Sequence, residues 1–429
     1  LLSPDGQHPY IFRNHCVVIS KRVSPASKQR KKVPKVNPSI LRWARETAGF
    51  NLEDAAEKIG LGEARGVAGS DRLAMLEAGD GEPTRPMLVK MAAQYRRPLL
   101  TFYLAEPPAV AARGEDFRTL PVEFAQRDAA LVDTLLREVR ARQEMVRAVL
   151  ELEDEATELD FVGSFDKRQG PDALGTSIQT RLAFDLQTFR HGSGRGTLKG
   201  FAYLRERAEA AGVFVLLIGN LGSHHSTLNV ELFRGFAFAD SVAPFVVIND
   251  QDSEQAWSFT LLHELAHIWL GQTGVSAGRP ASEIETFCND VAGRILLPAA
   301  EIARERPLLD ASQEQVIARI SAIADARQVS HSMVAYKLYR GGIIGQEMWS
   351  TVTALFRQQW LRNRAAQRDR ARENEGGPSY YTVRRHKLGN RLIELSKRML
   401  AEGALSPSKA AAILGVKASN VYSLTNSAA

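Results

Sequence analysis

Apolar positions along this chain follow two periods. From residue 37 to 211 they recur mainly at helical spacing, three and four apart. Asn37-Pro38-Ser39 starts one helix before Ile40-Leu41-Arg42-Trp43-Ala44-Arg45. Asn51 can cap a second, with Leu52, Ala55, Ala56 and Ile59 on one face and Gly60 as its stop. Arg72 to Gly79 and, after Pro83-Thr84, Met87 to Ala92 continue the series, as do 123–152, a short helix near 174–186, and 198–211. The period then changes. Residues 213–218, 233–238 and 244–249 are short apolar runs rich in Val, Ile and Phe, which predict three buried strands, the last two joined by a turn at Ala239-Asp240-Ser241. Helical spacing returns with Trp257, Leu261, Leu262, Leu265, Ile268 and Trp269. It returns again with Ile284, Phe287, Cys288, Val291, Ala292, Ile295 and Leu296. Further helices are predicted over 299–306, 312–327, 331–341, a basic stretch at 350–375, and 386–400. Residues 406–414 and 419–424, flanking Gly415-Val416-Lys417, form a helix-turn-helix-like pair. The expected fold class is mostly helical α+β, with a small, largely antiparallel sheet.

The candidate chemistry lies where the strands give way to helices. Residues 263–267 read His-Glu-Leu-Ala-His, an HExxH motif. On a helix, positions four apart share a face, so both imidazoles can reach one metal ion, and Glu264 can act as base for a water molecule held there. His263, Glu264 and His267 sit among apolar neighbours, where polar groups without partners cost several kcal/mol each; a metal ion supplies that partner. The order sheet, motif helix, second helix is that of a zincin half-domain.

A third ligand is expected on the second helix. Glu285 fits best, because it shares a face with Asn289 one turn into that helix. Ser282-Glu283-Ile284-Glu285 can also be read as a capping box, Glu283 is a rival ligand, and the Cys288 thiol could bind zinc but falls within the apolar stripe. Two His and one Glu leave a coordination position open, the catalytic rather than the structural arrangement. Asn289 is expected to orient a ligand, His263, from behind. His331, Tyr336 and Tyr339 are candidates by residue type alone for stabilising an oxyanion. His224 and His225 are read as surface-loop residues.

Composition narrows the setting. No run approaches the ~18 apolar residues of a membrane span, no signal-peptide pattern opens the chain, and Cys16 and Cys288 alone cannot build a disulfide framework. A cytoplasmic location is the expectation. The net charge of +6 is unevenly spread. Residues 1–36 carry +7 and residues 350–429 carry +9, so the body between is acidic at −10. Basic ends suit nucleic acid or an acidic partner, or serve only solubility.

The motif H-E-L-A-H-I-W-L-G, followed by E-x-x-x-N-x-x-A-x-x-L-L-P at 285–298, resembles the ImmA/IrrE family of metallopeptidases. RGFAFAD and PFVVIND are similar to that family's sheet. Residues 37–104 resemble a repressor-type (XRE-like) helix-turn-helix domain, and with EDFRTLP after it the arrangement is similar to the family's fused subfamily. An enlarged segment, GEARGVAGS, stands where a tight turn and reading helix would follow, and the next helix offers Asp71 and Glu77 beside Arg72. That unit is therefore expected to serve protein contacts more than DNA reading. Composition and periodicity mark a basic disordered tail at 1–36, a linker and helical region at 105–196 and a basic helical domain at 346–429; the resemblance implies the XRE-like domain at 37–104 and the metallopeptidase domain at 197–345 between them. It implies a zincin-like core binding zinc, with manganese as the alternative, through His263, His267 and Glu285, with Glu264 catalytic. It also implies a protein substrate, a helix-turn-helix repressor or antitoxin whose cleavage derepresses mobile-element, stress-response or defence genes. The second reading is a DNA-binding regulator or toxin–antitoxin component whose metal domain is a sensor or scaffold.

Overall fold

A computed structural model describes residues 35–108, 126–191, 199–222, 226–276, 283–305, 311–373 and 379–426. The basic tail up to residue 34, the EDFRTLP linker, His224, His225 and Ser282 lie outside the described residues. No described helix is long and apolar enough to cross a membrane.

Helices α1 (Pro38–Thr47), α2 (Leu52–Ile59), α3 (Gly69–Ala78) and α4 (Arg85–Gln94) enclose a core of their own around Ile40, Leu73, Leu88 and Phe102. Their caps are those expected: Asn37, Asn51 and Thr84 each accept a backbone N–H, and Gly60 and Gly79 close α2 and α3 with φ of 69° and 90°. Arg45 and Glu77 form a buried two-pronged ion pair between α1 and α3, both bonds 2.8 Å. Glu77 is thus committed inside the unit.

The long α5 (Gln126–Leu152) follows, then α6 (Pro171–Leu182), α7 (Leu186–His191) and α8 (Lys199–Ala210). Strands β1 (Phe214–Leu217), β2 (Gly235–Phe238) and β3 (Phe245–Ile248) lead into α9 (Glu254–Trp269), β4 (Gly274–Ser276) and α10 (Glu283–Leu296). The sheet order is β1-β3-β2-β4. It is mixed rather than antiparallel: β1 runs parallel to β3, with Phe214 opposite Phe245, while β2 is antiparallel to β3 and β4. Chain neighbours usually pair, but here β2 turns back onto β3 and β1 takes β3's far edge. Strand β4, at three residues, leaves no apolar run from which to predict it.

Strands β1, β2 and β3 are each buried along their whole length, and alternate residues serve different cores. Val215, Leu217, Ala237, Val246 and Ile248 face α6–α10 and the helices after them, α11 (Ala299–Ala303), α12 (Gln313–Arg327), α13 (His331–Arg340) and the start of α14 (Gln346–Glu373). Phe214, Leu216, Phe236, Phe238, Phe245 and Val247 face α5 and the C-terminal helices α15 (Tyr380–Leu388), α16 (Asn390–Ala401), α17 (Pro407–Leu414) and α18 (Val421–Asn426). The amphipathic stretch expected at 386–400 is two helices, because Gly389 with φ of 79° breaks it.

Candidate metal centre

From Ala256 to Trp269 helix α9 is buried at every position but Phe259, which is half-buried, so it is packed on every side. It lies against β2 and β3 with α10 and α8 beside it. Its C-terminal end is fixed by the segment before α6. Gly163 N donates to Ile268 O at 3.0 Å and Phe165 N to Trp269 O at 3.0 Å, while the Phe161 ring stacks on Trp269 at 4.3 Å. Gly271, at φ 67°, turns the chain away where Gly163 passes too close for a side chain.

The structure brings His263, His267 and Glu285 together as one buried cluster. The two imidazole Nε2 atoms are 3.1 Å apart. Glu285 places Oε2 at 3.2 Å from His263 Nε2 and Oε1 at 3.0 Å from His267 Nε2. Ligand atoms about 2.0–2.1 Å from one zinc ion in tetrahedral geometry stand about 3.3 Å from each other, so these spacings fit a metal. Two imidazole nitrogens and one carboxylate are also a donor set zinc favours. Burial pushes the Glu285 carboxyl up, but the hydrogen bonds and charge of the two histidines outweigh it and hold its pKa down at about 2. Such a carboxylate is ionised as a ligand must be.

Glu264 is fully buried next to the cluster. The space it occupies depends on a residue the sequence reading passed over. A Cβ on Gly235 of β2 would come within 2.7 Å of Glu264 Oε1 and 2.6 Å of Thr260 Cγ2. Glycine within a strand often marks such a close approach, and Gly235 in RGFAF carried that signal. Helix α10 is held at its far end by a second buried group: Arg190 donates to Leu296 O at 3.0 Å and to Glu301 at 2.8 Å, and Glu301 also accepts from Arg327 at 2.7 Å.

The other candidates separate. Glu283 points to solvent, its side chain 90 % exposed, and meets Lys167 at 3.1 Å, outside the cluster. Cys288 is core. Asn289 is half-buried and makes no hydrogen bond to either imidazole; the Nδ1 atoms of His263 and His267 have no hydrogen-bond partner among the described residues. His331 packs on Phe356, and Tyr339 stacks on Trp349 with Tyr336 beside it, all three engaged with α14.

Residues 220–339 match the family model described as the IrrE N-terminal-like domain, peptidase M78. The match spans the cluster and stops short of the helical regions on either side. It supports a metallopeptidase of the ImmA/IrrE type. No curated protein and no solved structure matches the chain.

Proposed function

We propose that this protein is a zinc-dependent site-specific endopeptidase that cuts a helix-turn-helix repressor or an antitoxin-like protein in the cytoplasm, and so derepresses mobile-element, stress-response or defence genes. The observation that carries the peptidase reading is the buried His263–His267–Glu285 cluster with Glu264 packed beside it. The substrate class rests on the ImmA/IrrE likeness. His263, His267 and Glu285 would hold the ion, zinc by donor type with manganese as the alternative. When bound, such an ion polarises the scissile carbonyl and makes water more acidic. Glu264 then takes the proton of the attacking water and passes it to the leaving amine. Its place against Gly235 fixes the carboxylate relative to the two histidines. Asn289 lies one turn along α10 from Glu285, and the expected role in orienting His263 has no hydrogen bond behind it among the described residues.

The test is Glu264→Gln. The variant is expected to keep one equivalent of metal and to lose cleavage of a repressor that the wild type cuts. Cleavage at the wild-type rate would sink the reading. The alternative, a DNA-binding regulator with a metal-containing sensor or scaffold, draws on the two helix-turn-helix-like units. It predicts that Glu264→Gln leaves regulation intact in the cell, whereas the peptidase reading predicts that regulation is lost.

A further inference from the structure

The peptidase reading gives no task to the helical pair at the C-terminal end of the chain. Ser406 caps α17, accepting from Lys409 N at 3.3 Å, and Gly415 closes it with φ of 61°. Val416 and Lys417 lead through one tight turn at Ala418–Asn420 into α18. Ala410, Ala411, Ile413 and Leu414 of α17 and Val421, Leu424 and Thr425 of α18 are buried. Small residues at 410 and 411 let α18 come close, and Gly415 permits the sharp turn; this is how a helix-turn-helix is built. Two guanidiniums hold the pair in place. Arg384 donates to Leu414 O at 3.0 Å and Gly415 O at 2.7 Å, and Arg385 donates to Leu424 O at 2.7 Å.

With that face packed, the outward face of the turn and the second helix is defined. Ser419, Tyr422, Ser423 and Asn426 are all exposed, at spacings of three, four and seven. The face is polar, with hydroxyls and an amide that can both donate and accept. Lys409 and Lys417 are exposed on the same pair. No Asp or Glu occurs after Glu402. The N-terminal unit differs at the matching helix: α3 carries Asp71, its Glu77 is buried against Arg45, and its Arg72 is drawn back to Gly62 O at 2.6 Å. An apolar partner surface would bury this polar stripe without supplying it hydrogen bonds, and an acidic protein would use the lysines and the stripe's donors but not its acceptors. Duplex DNA uses both, phosphates for the lysines and base edges for the stripe.

We propose that α17–α18 binds duplex DNA, with residues 419–426 in the major groove, Ser419, Ser423 and Asn426 towards base edges, and Tyr422, Lys409 and Lys417 on phosphates. Tyr422 and the serines can reach phosphate oxygens or bases by hydroxyl, and Asn426 can pair in two-pronged fashion with adenine. The assignment is independent of the metal centre.

The test uses the full chain and a pool of labelled 30-base-pair duplexes with a randomised centre, taken through repeated rounds of selection. The wild type is expected to enrich a defined sequence. Asn426→Asp and Ser423→Glu place a carboxylate on the reading face without touching the core, and each is expected to bind the enriched duplex at least tenfold more weakly. Lys417→Ala should weaken binding about equally for all sequences and lower the slope of log affinity against log salt by about 1. Circular dichroism of each variant should match the wild type, since the altered positions are exposed. Failure to enrich any sequence overturns the proposal. So does undiminished binding of the enriched duplex by Asn426→Asp and Ser423→Glu, which would place DNA on other basic segments. Tighter binding to single-stranded RNA of the same sequence also overturns it.

Discussion

Gly235→Ala tests whether the strand beside the motif helix sets the position of Glu264. The added methyl would lie 2.6 Å from Thr260 Cγ2, 2.7 Å from Glu264 Oε1 and 3.1 Å from Val247 O. Carbon atoms pack best at about 3.5–4.0 Å, so the contact with Thr260 is too close by about 1 Å. Val247 O is backbone of the neighbouring strand and cannot retreat alone. Thr260 is held by its own hydroxyl, which donates to Ala256 O at 3.2 Å. The relief therefore falls on Glu264 or on the spacing of α9 from β2. Overpacking of this kind costs about 1–3 kcal/mol. Alanine's backbone advantage over glycine returns about 0.5–1 kcal/mol, leaving a net loss of up to about 2.5 kcal/mol. A displacement of about 1 Å at a catalytic group costs roughly 100-fold in turnover.

Three readouts separate the effects. Metal content should stay at the wild-type level, because the contacts fall on Glu264 and Thr260 and not on His263, His267 or Glu285. Urea denaturation followed by tryptophan fluorescence should show the stability loss. Turnover of a cleaved repressor should drop by roughly two orders of magnitude. Adding Thr260→Ser removes the Cγ2 contact, so the double variant should regain much of the stability and little of the turnover. Wild-type stability together with wild-type turnover in Gly235→Ala would refute the reasoning. Loss of zinc would show that the ligands, not Glu264, had yielded.

Other expectations follow from the same geometry. Glu285→Gln removes the anionic ligand and should weaken zinc binding by more than the roughly 100-fold seen when an outer hydrogen-bond partner is lost, measured by competition with a chromophoric chelator. Glu283→Gln should leave zinc content unchanged and stability within about 0.5 kcal/mol, since Glu283 is exposed and its pairing with Lys167 is a surface one. Chelation of the metal should lower the thermal midpoint. Zinc held at 100 times its Kd contributes about 2.7 kcal/mol, and a midpoint indifferent to chelator would contradict a metal held by buried ligands. Glu77→Gln strands the buried Arg45 charge, at a cost of about 3–5 kcal/mol. Hydrogen exchange should rise across α1–α4 while zinc content holds, because that unit has its own core.

The motif helix and its partner are legible because one short pattern sets both the donor types and the periodicity. His263 and His267 share a face by spacing alone, and Glu285 was favoured over Glu283 by helical phase; in the structure Glu283 stands outside the cluster and Glu285 within it. What spacing could not carry was pairing across the sheet. Three apolar strands of similar composition do not encode whether β1 joins β2 or β3, so a largely antiparallel sheet is expected without its parallel β1–β3 pair. Three-residue β4 is too short to leave a pattern. Gly389 was read within a continuous amphipathic run, since apolar phase persists across it and only φ reveals the break. Asn289 shares the helix of Glu285, but sequence cannot tell a bond to His263 from mere proximity, and none is formed among the described residues.

The sheet explains why the C-terminal helices and the metal centre belong to one packed body. Its α9 side carries Gly235 and Ala237, residues small enough for the motif helix to lie close, while its other side carries Phe214, Phe236, Phe238 and Phe245, whose rings fill the gap to α5 and α15–α18. Stripping those helices away would expose four phenylalanines in one patch, an apolar surface a lone domain rarely tolerates. A buried ion pair reinforces the join. Arg205 of α8 reaches Glu209 at 3.1 Å, the β1 carbonyl of Val215, and His386 O of α15 at 2.5 Å, and Glu209 accepts N–H groups of Asn390 and Arg391 at the start of α16. Removing either charge leaves the other buried and uncompensated, which costs about 3–5 kcal/mol. Any influence of a ligand on α17–α18 upon the metal centre can pass through the strands or through α8, which touches both α16 and α9. A ligand that binds equally well to every arrangement of those elements would leave the centre unchanged, however tightly it bound.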